Sequence, residues 1–272
     1  MSLRQQEVAG RATQFIDQGK GAPVLLVHGF PLDHTMWVHQ LDELSKHHRV
    51  IAPDLPGFGQ SVALNDAQSS TPLTMPRLAD WLATFLDTIE IAEPIHYCGL
   101  SMGGYVGWEF ASRHRHRLSH LIACNTRAAS DSDLVRRARK VAAANARTHG
   151  TELLAETMAP KLVGEKQTHT QPNVLKSIQS MIRRTAPTSV AAGQLGMAER
   201  EDMLEFVQSI DFPTLFVAGQ DDTVTPPDEM ESNAKLTPGA KYHCFENAGH
   251  LVPMQAAVSF NKVVIDFFEQ PT

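Results

Sequence analysis

The chain has 272 residues, of which 42% are hydrophobic and 20% are charged. This is the composition of a globular protein, and it excludes an intrinsically disordered chain. The formal net charge of −6 argues against a general nucleic-acid binder, because such proteins usually carry a basic surplus. At this length we expect one domain with a sizeable insertion.

Three cysteines, Cys98, Cys124 and Cys244, each lie in an apolar run that is typical of a strand. A sparse and odd set of this kind predicts free thiols in a reducing compartment rather than a disulfide framework. The N-terminal residues lack the apolar stretch of a signal peptide, and no segment has the roughly 18 to 20 apolar residues that span a membrane. We therefore expect a cytoplasmic protein without membrane association.

Strand and helix patterns alternate along most of the chain. The clearest helix spans residues 75–89, where apolar residues recur on one helical face. Most strand runs are almost wholly apolar, as expected of parallel strands covered on both faces. The predicted strands are residues 23–28, 49–52, 95–98, 120–123, 214–218 and 241–245. This alternation predicts an α/β fold with a mostly parallel central sheet flanked by helices.

The alternation stops between residues 126 and 206, where helical patterns follow one another and no strand run occurs. The predicted helices there are residues 133–147, 151–158, 173–183 and 188–196. We interpret residues 126–206 as an inserted helical cap. Residues 1–125 and 207–272 then form the catalytic core.

The strongest local motif is GLSMG, a G-x-S-x-G sequence at residues 99–103. Such a motif arises by chance in roughly one chain in ten of this length, so its position matters more than its occurrence. Here it lies between the predicted strand 95–98 and a helical pattern at 105–114. In that setting the serine occupies a tight, strained turn, and the glycines leave out side chains that would obstruct it. Ser101 is therefore the predicted nucleophile.

An early loop supplies a second motif, HGFP at residues 28–31, directly after the first strong strand. Acyl transfer needs two N–H donors for the tetrahedral oxyanion. In this architecture one donor follows the nucleophile and the other comes from an early strand-to-helix loop. The backbone N–H groups of Met102 and Phe30 are the candidates, unless HGFP is simply a turn. His28 is expected to brace this loop rather than to accept protons.

A partner acid and base are predicted at the ends of later strands. The sequence GQDD occupies residues 219–222, and NAGH occupies residues 247–250. Histidine takes up and returns a proton near neutrality because its unperturbed pKa is about 6.5, and an acid fixes its tautomer. The candidate base is His250, and the candidate acids are Asp222 and its neighbour Asp221.

With these segments in view, the chain resembles α/β-hydrolases of the large group that contains esterases, lactonases such as 3-oxoadipate enol-lactonases, and non-haem haloperoxidase-like enzymes. The matching segments extend from about residue 20 to about residue 260: VLLVHGFPLDHTMW, VIAPDLPGFGQS, CGLSMGGYVGWEF, NTRAASDS, TLFVAGQDDTVTP and NAGHLVP. The resemblance implies Ser101 as nucleophile, Asp222 in preference to Asp221 as acid, and His250 as base. It also implies that no metal and no organic cofactor takes part.

These expectations describe a serine hydrolase that cleaves a small carboxylic ester or lactone through an acyl-enzyme on Ser101, and that binds no nucleic acid. Three alternatives stay open. The same triad serves C–C bond hydrolysis in a diketone, or perhydrolase activity with peroxide in place of water. The third is a ligand-binding homologue that keeps the triad but barely turns over. The motifs do not distinguish among these, and they carry no signal for an oligomeric state.

Histidine is abundant, with 13 residues, but the sequence has no H-E-x-x-H or C-x-x-C spacing of a zinc site. The pair His47-His48 lies close to the end of a helical pattern. We expect both side chains on an exposed surface, without a role in metal binding.

Overall fold

The computed structural model describes residues 3–64 and 71–271, and its centre is a sheet of eight strands. The strands are β1 (Leu3–Val8), β2 (Arg11–Gln18), β3 (Pro23–Val27), β4 (Arg49–Pro53), β5 (Ile95–Leu100), β6 (Leu118–Cys124), β7 (Thr214–Gly219) and β8 (Lys241–Phe245). Their spatial order is β1-β2-β4-β3-β5-β6-β7-β8. β2 pairs antiparallel with β1 and β4, and every other pair in this sheet is parallel. The predicted α/β fold with a mostly parallel sheet is confirmed.

Helices flank the sheet and also fill the long connection between β6 and β7. They are α1 (Val38–Leu44), α2 (Met75–Thr88), α3 (Met102–Arg113), α4 (Asp133–His149), α5 (Glu152–Val163), α6 (Gln167–Thr170), α7 (Pro172–Arg184), α8 (Pro187–Ala198), α9 (Leu204–Val207), α10 (Pro227–Leu236), α11 (Val252–Gln255) and α12 (Ala257–Phe268). Short 3₁₀ helices occupy His34–Trp37 and Arg115–Arg117.

The central strands of the sheet are buried on both faces, and strand β3 shows why its sequence is continuously apolar. Leu25 and Val27 belong to the apolar cluster that also contains the buried faces of α2 and α3. Val24 and Leu26, which point to the opposite face, belong to the cluster that contains α1 and α12. A strand with helices on both sides has no solvent face on which polar residues would be placed.

Strands β1 and β2 are not among the predicted strands. β1 reads LRQQEV, and only its last residue, Val8, is buried. β2 reads RATQFIDQ and mixes buried with half-buried positions. β1 is the edge strand and pairs only with β2, so its polar side chains face solvent; β2 pairs with β1 and β4 and carries polar side chains at half-buried positions. Prediction from continuous apolar runs therefore misses both strands.

Helices α4 to α9 all lie between β6 and β7, and the described part of this connection contains no strand. Several of these helices are longer than predicted. α5 continues to Val163 and contains Pro160, whereas the sequence pattern ends it at residue 158. The division into a core and a cap at residues 126–206 stays a prediction. Residues 1–2, 65–70 and 272 of the predicted core lie outside the described residues.

The prediction that His48 is exposed is wrong. Only 6% of His48 is exposed, and its ring lies edge-on to His96 and Phe268. The cause is tertiary: the last residues of α12 pack over the end of the sheet at which β4 begins. Its neighbour His47 keeps 40% of its side chain exposed and faces Glu269.

The three cysteines have no disulfide partner. Cys98 and Cys124 are buried on neighbouring strands, and Cys244 is half-buried on β8. Among residues 3–64 and 71–271, no helix combines the length and apolar character needed to cross a membrane.

Candidate active site

Ser101 connects the end of β5 to the start of α3. Its backbone has φ 53° and ψ −113°, a conformation that non-glycine residues adopt at a cost. Two contacts hold it there: the Ser101 N–H donates to the Cys124 carbonyl at 2.9 Å, and the Thr126 hydroxyl donates to the Ser101 carbonyl at 2.8 Å. The turn is therefore fixed by the neighbouring strand β6 and by the loop that follows it.

The two glycines of the G-x-S-x-G motif are required by close backbone packing. A Cβ atom on Gly99 would lie 2.3 Å from the Gly103 carbonyl oxygen. A Cβ atom on Gly103 would lie 2.3 Å from the carbonyl oxygen of Val27 on β3. The first turn of α3 thus lies directly against the sheet, and any side chain at either position would displace it.

His250 and Asp222 follow β8 and β7, and the fold brings them together. His250 Nδ1 lies 2.8 Å from Asp222 Oδ2, and 2% and 0% of their side chains are exposed. A carboxylate only accepts, so Nδ1 carries a proton, and in the neutral ring Nε2 then has the free lone pair. This Nε2 is buried without a hydrogen-bond partner among the described protein groups, and no hydrogen bond joins it to Ser101. A buried nitrogen of this kind is available to an incoming group.

The Asp222 carboxylate is held by four hydrogen bonds. Oδ1 accepts from the backbone N–H groups of Val224 at 2.8 Å and Thr225 at 3.0 Å. Oδ2 accepts from His250 and from the Asn125 side chain, the latter at 2.8 Å. Burial raises the pKa of Asp222, but the charge of His250 and these hydrogen bonds outweigh it, so the pKa lies below its ordinary value. The site therefore favours an ionised Asp222.

Asp221, the alternative acid, points elsewhere. Its Oδ1 lies 2.7 Å from Lys166 Nζ, and its Oδ2 accepts from Gln167 Nε2 at 2.5 Å. Both partners belong to the region of α6, and the carboxyl group is partly exposed. The two adjacent aspartates thus contact different parts of the molecule, and only Asp222 contacts His250.

Asn125 is a site residue for which the sequence analysis assigns no role. It follows β6 with φ 43°, and its backbone N–H donates to the Val217 carbonyl at 2.8 Å. Its side-chain Nδ2 donates to Asp222 and lies 3.4 Å from the carbonyl of Gly249, next to the histidine. The feature of the sequence that could have identified Asn125 is its position: it is the first residue of NTRAASDS, directly after a predicted strand.

The loop after β3 is braced by His28. The Leu55 N–H donates to His28 Nε2 at 2.9 Å, so Nδ1 carries the proton and donates to the Gly29 carbonyl at 2.9 Å. Burial is the main cause that lowers the pKa of His28, which favours the neutral ring that this arrangement needs. The expectation that His28 braces the loop is confirmed.

The two residues that carry the predicted N–H donors are close to Ser101 in the chain or in space. A Cβ atom on Gly29 would lie 3.5 Å from the Ser101 Cβ, so the loop that carries Phe30 runs beside the serine. Within the described residues, the Phe30 N–H donates to no protein acceptor. Met102 is the first residue of α3, and an N–H at that position has no intrahelical acceptor. Both groups are free to bind an anionic oxygen.

One cluster in the described chain has the composition of a metal site: Asp33, His34 and Asp54. Its polar atoms are already engaged, because His34 Nδ1 lies 2.7 Å from Asp54 Oδ1 and Arg184 Nε donates to Asp33 at 2.7 Å. A guanidinium group beside the cluster opposes a second cation. We therefore describe it as an ion-pair network and assign no metal to it.

The chain is similar to known proteins in sequence and in structure. The model of the α/β hydrolase fold family matches residues 22–257. A thermophilic esterase from Thermogutta terrifontis, solved with malate bound, is 38% identical with a TM-score of 0.92 over 98% of each chain. An enol-lactonase from Burkholderia xenovorans is 28% identical with a TM-score of 0.89, over 98% of this chain and 100% of that chain. In sequence, 2-hydroxymuconate semialdehyde hydrolase from a Pseudomonas species is 27% identical over 273 residues, which cover 96% of this chain and 92% of that protein. The chain therefore belongs to the α/β hydrolase fold family.

Proposed function

We propose that this protein is a serine hydrolase that cleaves a carboxylic ester or a lactone through an acyl-enzyme on Ser101. The observation that carries the proposal is the buried 2.8 Å hydrogen bond between His250 and Asp222, which leaves His250 Nε2 with a free lone pair. A buried imidazole oriented by an ionised acid is the arrangement that activates a hydroxyl nucleophile.

In the proposed reaction, Ser101 Oγ attacks the carbonyl carbon while His250 Nε2 takes the hydroxyl proton. Asp222 stabilises the positive charge that forms on the imidazole. The N–H groups of Phe30 and Met102 bind the tetrahedral oxyanion. His250 then returns the proton to the leaving oxygen, and an acyl group remains on the serine. Water, activated by the same histidine, releases the acid; with a lactone, the leaving hydroxyl stays attached to the product.

We propose further that residues 126–206 form a cap over this site and set its preference among small-molecule substrates. The support is that α8 of this segment packs on two loops that follow core strands. Ser189 lies against Gly57, where a Cβ atom would come within 2.7 Å of its hydroxyl, and Gly193 lies against the Phe30 ring. The free thiols are consistent with action in a reducing compartment, and we propose the cytoplasm.

A second chemistry, hydrolysis of a C–C bond, is favoured by the similarity to 2-hydroxymuconate semialdehyde hydrolase. A semialdehyde has no ester or lactone bond, so the relative's name indicates a different scissile bond. The same nucleophile, base and oxyanion donors serve both reactions. Only the substrate separates them.

A substrate panel tests the proposal. The wild-type protein and the Ser101→Ala variant are assayed with p-nitrophenyl acetate, butyrate and octanoate, with γ- and δ-lactones, and with a vinylogous 1,5-diketone. We expect turnover of at least one ester or lactone by the wild type, and its loss in the variant. Turnover of the diketone alone would replace the ester proposal with the C–C proposal. Turnover of none would favour a ligand-binding homologue.

A further inference from the structure

The loop that carries the Phe30 N–H is held by the end of helix α7. The buried Thr185 hydroxyl, 2% exposed, lies 3.1 Å from the Pro31 carbonyl oxygen, one of two acceptors that share its single proton. It also lies 3.0 Å from the Met181 carbonyl of its own helix. Thr185 therefore ties the end of α7 to the residue that directly follows Phe30.

Two residues further along the same loop, Asp33 forms a second tie. Arg184 Nε donates to Asp33 Oδ2 at 2.7 Å, and the guanidinium group also donates to the Thr35 hydroxyl at 2.7 Å. Asp33 is 1% exposed, and its other oxygen accepts from the Thr35 N–H at 3.0 Å. A buried carboxylate needs a compensating charge, and in the described residues this charge comes from Arg184.

The Phe30 side chain supplies a third contact with the same segment. A Cβ atom on Gly193 of α8 would lie 2.8 Å from the Phe30 ring, so the ring packs directly on the α8 backbone. The carbonyl oxygen of Gly29, which belongs to the same peptide group as the Phe30 N–H, accepts from His28 and from the Leu32 N–H at 2.9 Å. The peptide that carries the Phe30 N–H is thus held between the core and residues 184–193.

We propose that Thr185 and Arg184 are positioning residues for the oxyanion hole: they hold the loop so that the Phe30 N–H points at the developing oxyanion. The inference rests on the proposed function: the activity of that site should depend on how the end of α7 packs against the loop. Displacement of a catalytic group by about 1 Å is enough to slow a reaction strongly, since the donor must meet the oxyanion rather than the ground-state carbonyl. Substitution of Thr185 or Arg184 should leave the roles of Ser101, His250 and Asp222 unchanged.

The test uses two variants, Thr185→Val and Arg184→Gln. Loss of a whole oxyanion donor costs about 10²- to 10³-fold in kcat, so a displaced donor is expected to cost about 5- to 50-fold. We expect this fall in kcat, with KM within about twofold of the wild-type value. The affinity for a trifluoromethyl ketone should fall by the same factor, because the adduct of this inhibitor with the serine carries the oxyanion. The pH midpoint of kcat/KM should stay in place because His250 and Asp222 are untouched.

The chain offers matched controls. Arg183 is adjacent to Arg184 but pairs with Glu152 inside the helical segment at 2.7 Å, so Arg183→Gln should keep wild-type kcat. Thr185→Ser keeps the hydroxyl and should also keep the wild-type kcat. If Arg184→Gln fails to fold, Arg184→Lys, which keeps the positive charge, takes its place in the test. Wild-type kcat and wild-type ketone affinity in both Thr185→Val and Arg184→Gln would overturn the inference.

Hydrogen exchange of the segment 28–36 separates this inference from the proposed function. We expect faster amide exchange there in Thr185→Val and Arg184→Gln than in Arg183→Gln, whatever reaction the protein catalyses. If Ser101 is not the nucleophile, the proposed function fails, yet faster exchange still shows that residues 184–185 hold the loop. Unchanged exchange in both variants would refute the inference even if ester hydrolysis is demonstrated.

Discussion

Asn125 and His250 donate to the same oxygen of one carboxylate. Asn125 Nδ2 and His250 Nδ1 each lie 2.8 Å from Asp222 Oδ2, and all three side chains are buried. Asn125 Nδ2 also lies 3.4 Å from the Gly249 carbonyl oxygen, so it contacts both the acid and the residue that precedes His250. The acid is thereby oriented from the end of β6 as well as from its own loop.

Replacement of Asn125 by glycine tests this orientation. Glycine accepts the φ of 43° at this position, so the variant chiefly removes the side chain. A hydrogen bond to a charged group contributes about 1.5 to 3 kcal/mol, and we expect the free energy of unfolding at pH 7 to fall by about that amount. Urea unfolding measures the change.

The same variant has a pH signature. The lowered pKa of Asp222 stabilises the fold above the unfolded-state pKa, and this stabilisation is lost as the pH falls through the folded-state pKa. Without Asn125 the folded-state pKa rises towards the unfolded-state value, so the loss of stability in acid should be smaller and should be complete at a higher pH. An unchanged acid limb of stability against pH would contradict this assignment.

The two adjacent aspartates form a natural pair for a test of the acid. Asp222→Asn keeps the shape of the side chain but places an amide opposite His250 Nδ1, which favours the wrong tautomer. In a serine protease this change lowers kcat by about 10⁴-fold, and we expect a loss of about 10³- to 10⁴-fold. Asp221→Asn, whose carboxyl group contacts Lys166 and Gln167 instead, should stay within about threefold of wild type. Equal losses in the two variants would contradict the assigned roles.

Gly103 is predicted to be irreplaceable for a steric reason. A methyl group there would lie 2.3 Å from the Val27 carbonyl oxygen, and backbone cannot yield as a side chain does. We expect Gly103→Ala to lower the free energy of unfolding by about 3 kcal/mol and to reduce kcat, because the Ser101 turn shifts with α3. Gly239, with φ 67° and open space around it, is the control. Gly239→Ala should cost about 1 kcal/mol in thermal unfolding and leave kcat unchanged.

A cluster of buried histidines at the opposite end of the sheet makes stability depend on pH. Burial, followed by the charges of His120 and His48, lowers the pKa of His96 to about 3. The unfolded chain binds this proton near pH 6.5, so the fold loses stability as the pH falls from about 6.5 towards about 3. The slope that one such group contributes is about 1.4 kcal/mol per pH unit.

His96→Phe should reduce this slope by about that amount, because phenylalanine keeps the stack on Phe268 but takes up no proton. Urea unfolding at pH 7, 6 and 5 measures the slope. His116→Gln, at an exposed position, should leave it as in wild type. A wild-type slope in His96→Phe would show that His96 does not contribute.

The parts of the fold that could be predicted from the sequence are those with a local cause. Strands buried on both faces must be apolar, so the runs of β3 to β7 are visible without the structure; the run of β8 is also predicted, although most of its residues are exposed or half-buried. The positions of Ser101, Asp222 and His250 at strand ends follow from the same runs. A parallel sheet gathers these ends at one edge, and the fold brings His250 to Asp222 there.

The features that could not be predicted depend on contacts between distant segments. β1 is polar because it is an exposed edge strand, β2 carries polar residues at positions that are only half-buried, and His48 is buried because α12 ends above it. Asn125 contacts an acid 97 residues away in the chain, and Arg184 contacts Asp33 across 151 residues. No local pattern marks such partners, since their residue types are equally common on a solvated surface.

The central claim is that Ser101 is an activated nucleophile, and covalent labelling tests it most directly. The protein is treated with a fluorophosphonate, and the adduct is located by intact mass and peptide mapping in the wild type and in Ser101→Ala. We predict one phosphonyl group per wild-type chain, attached to Ser101, with ester hydrolysis lost in step with labelling and no adduct in the variant. An unlabelled wild type, or a Ser101→Ala variant that still hydrolyses the ester, would contradict the claim.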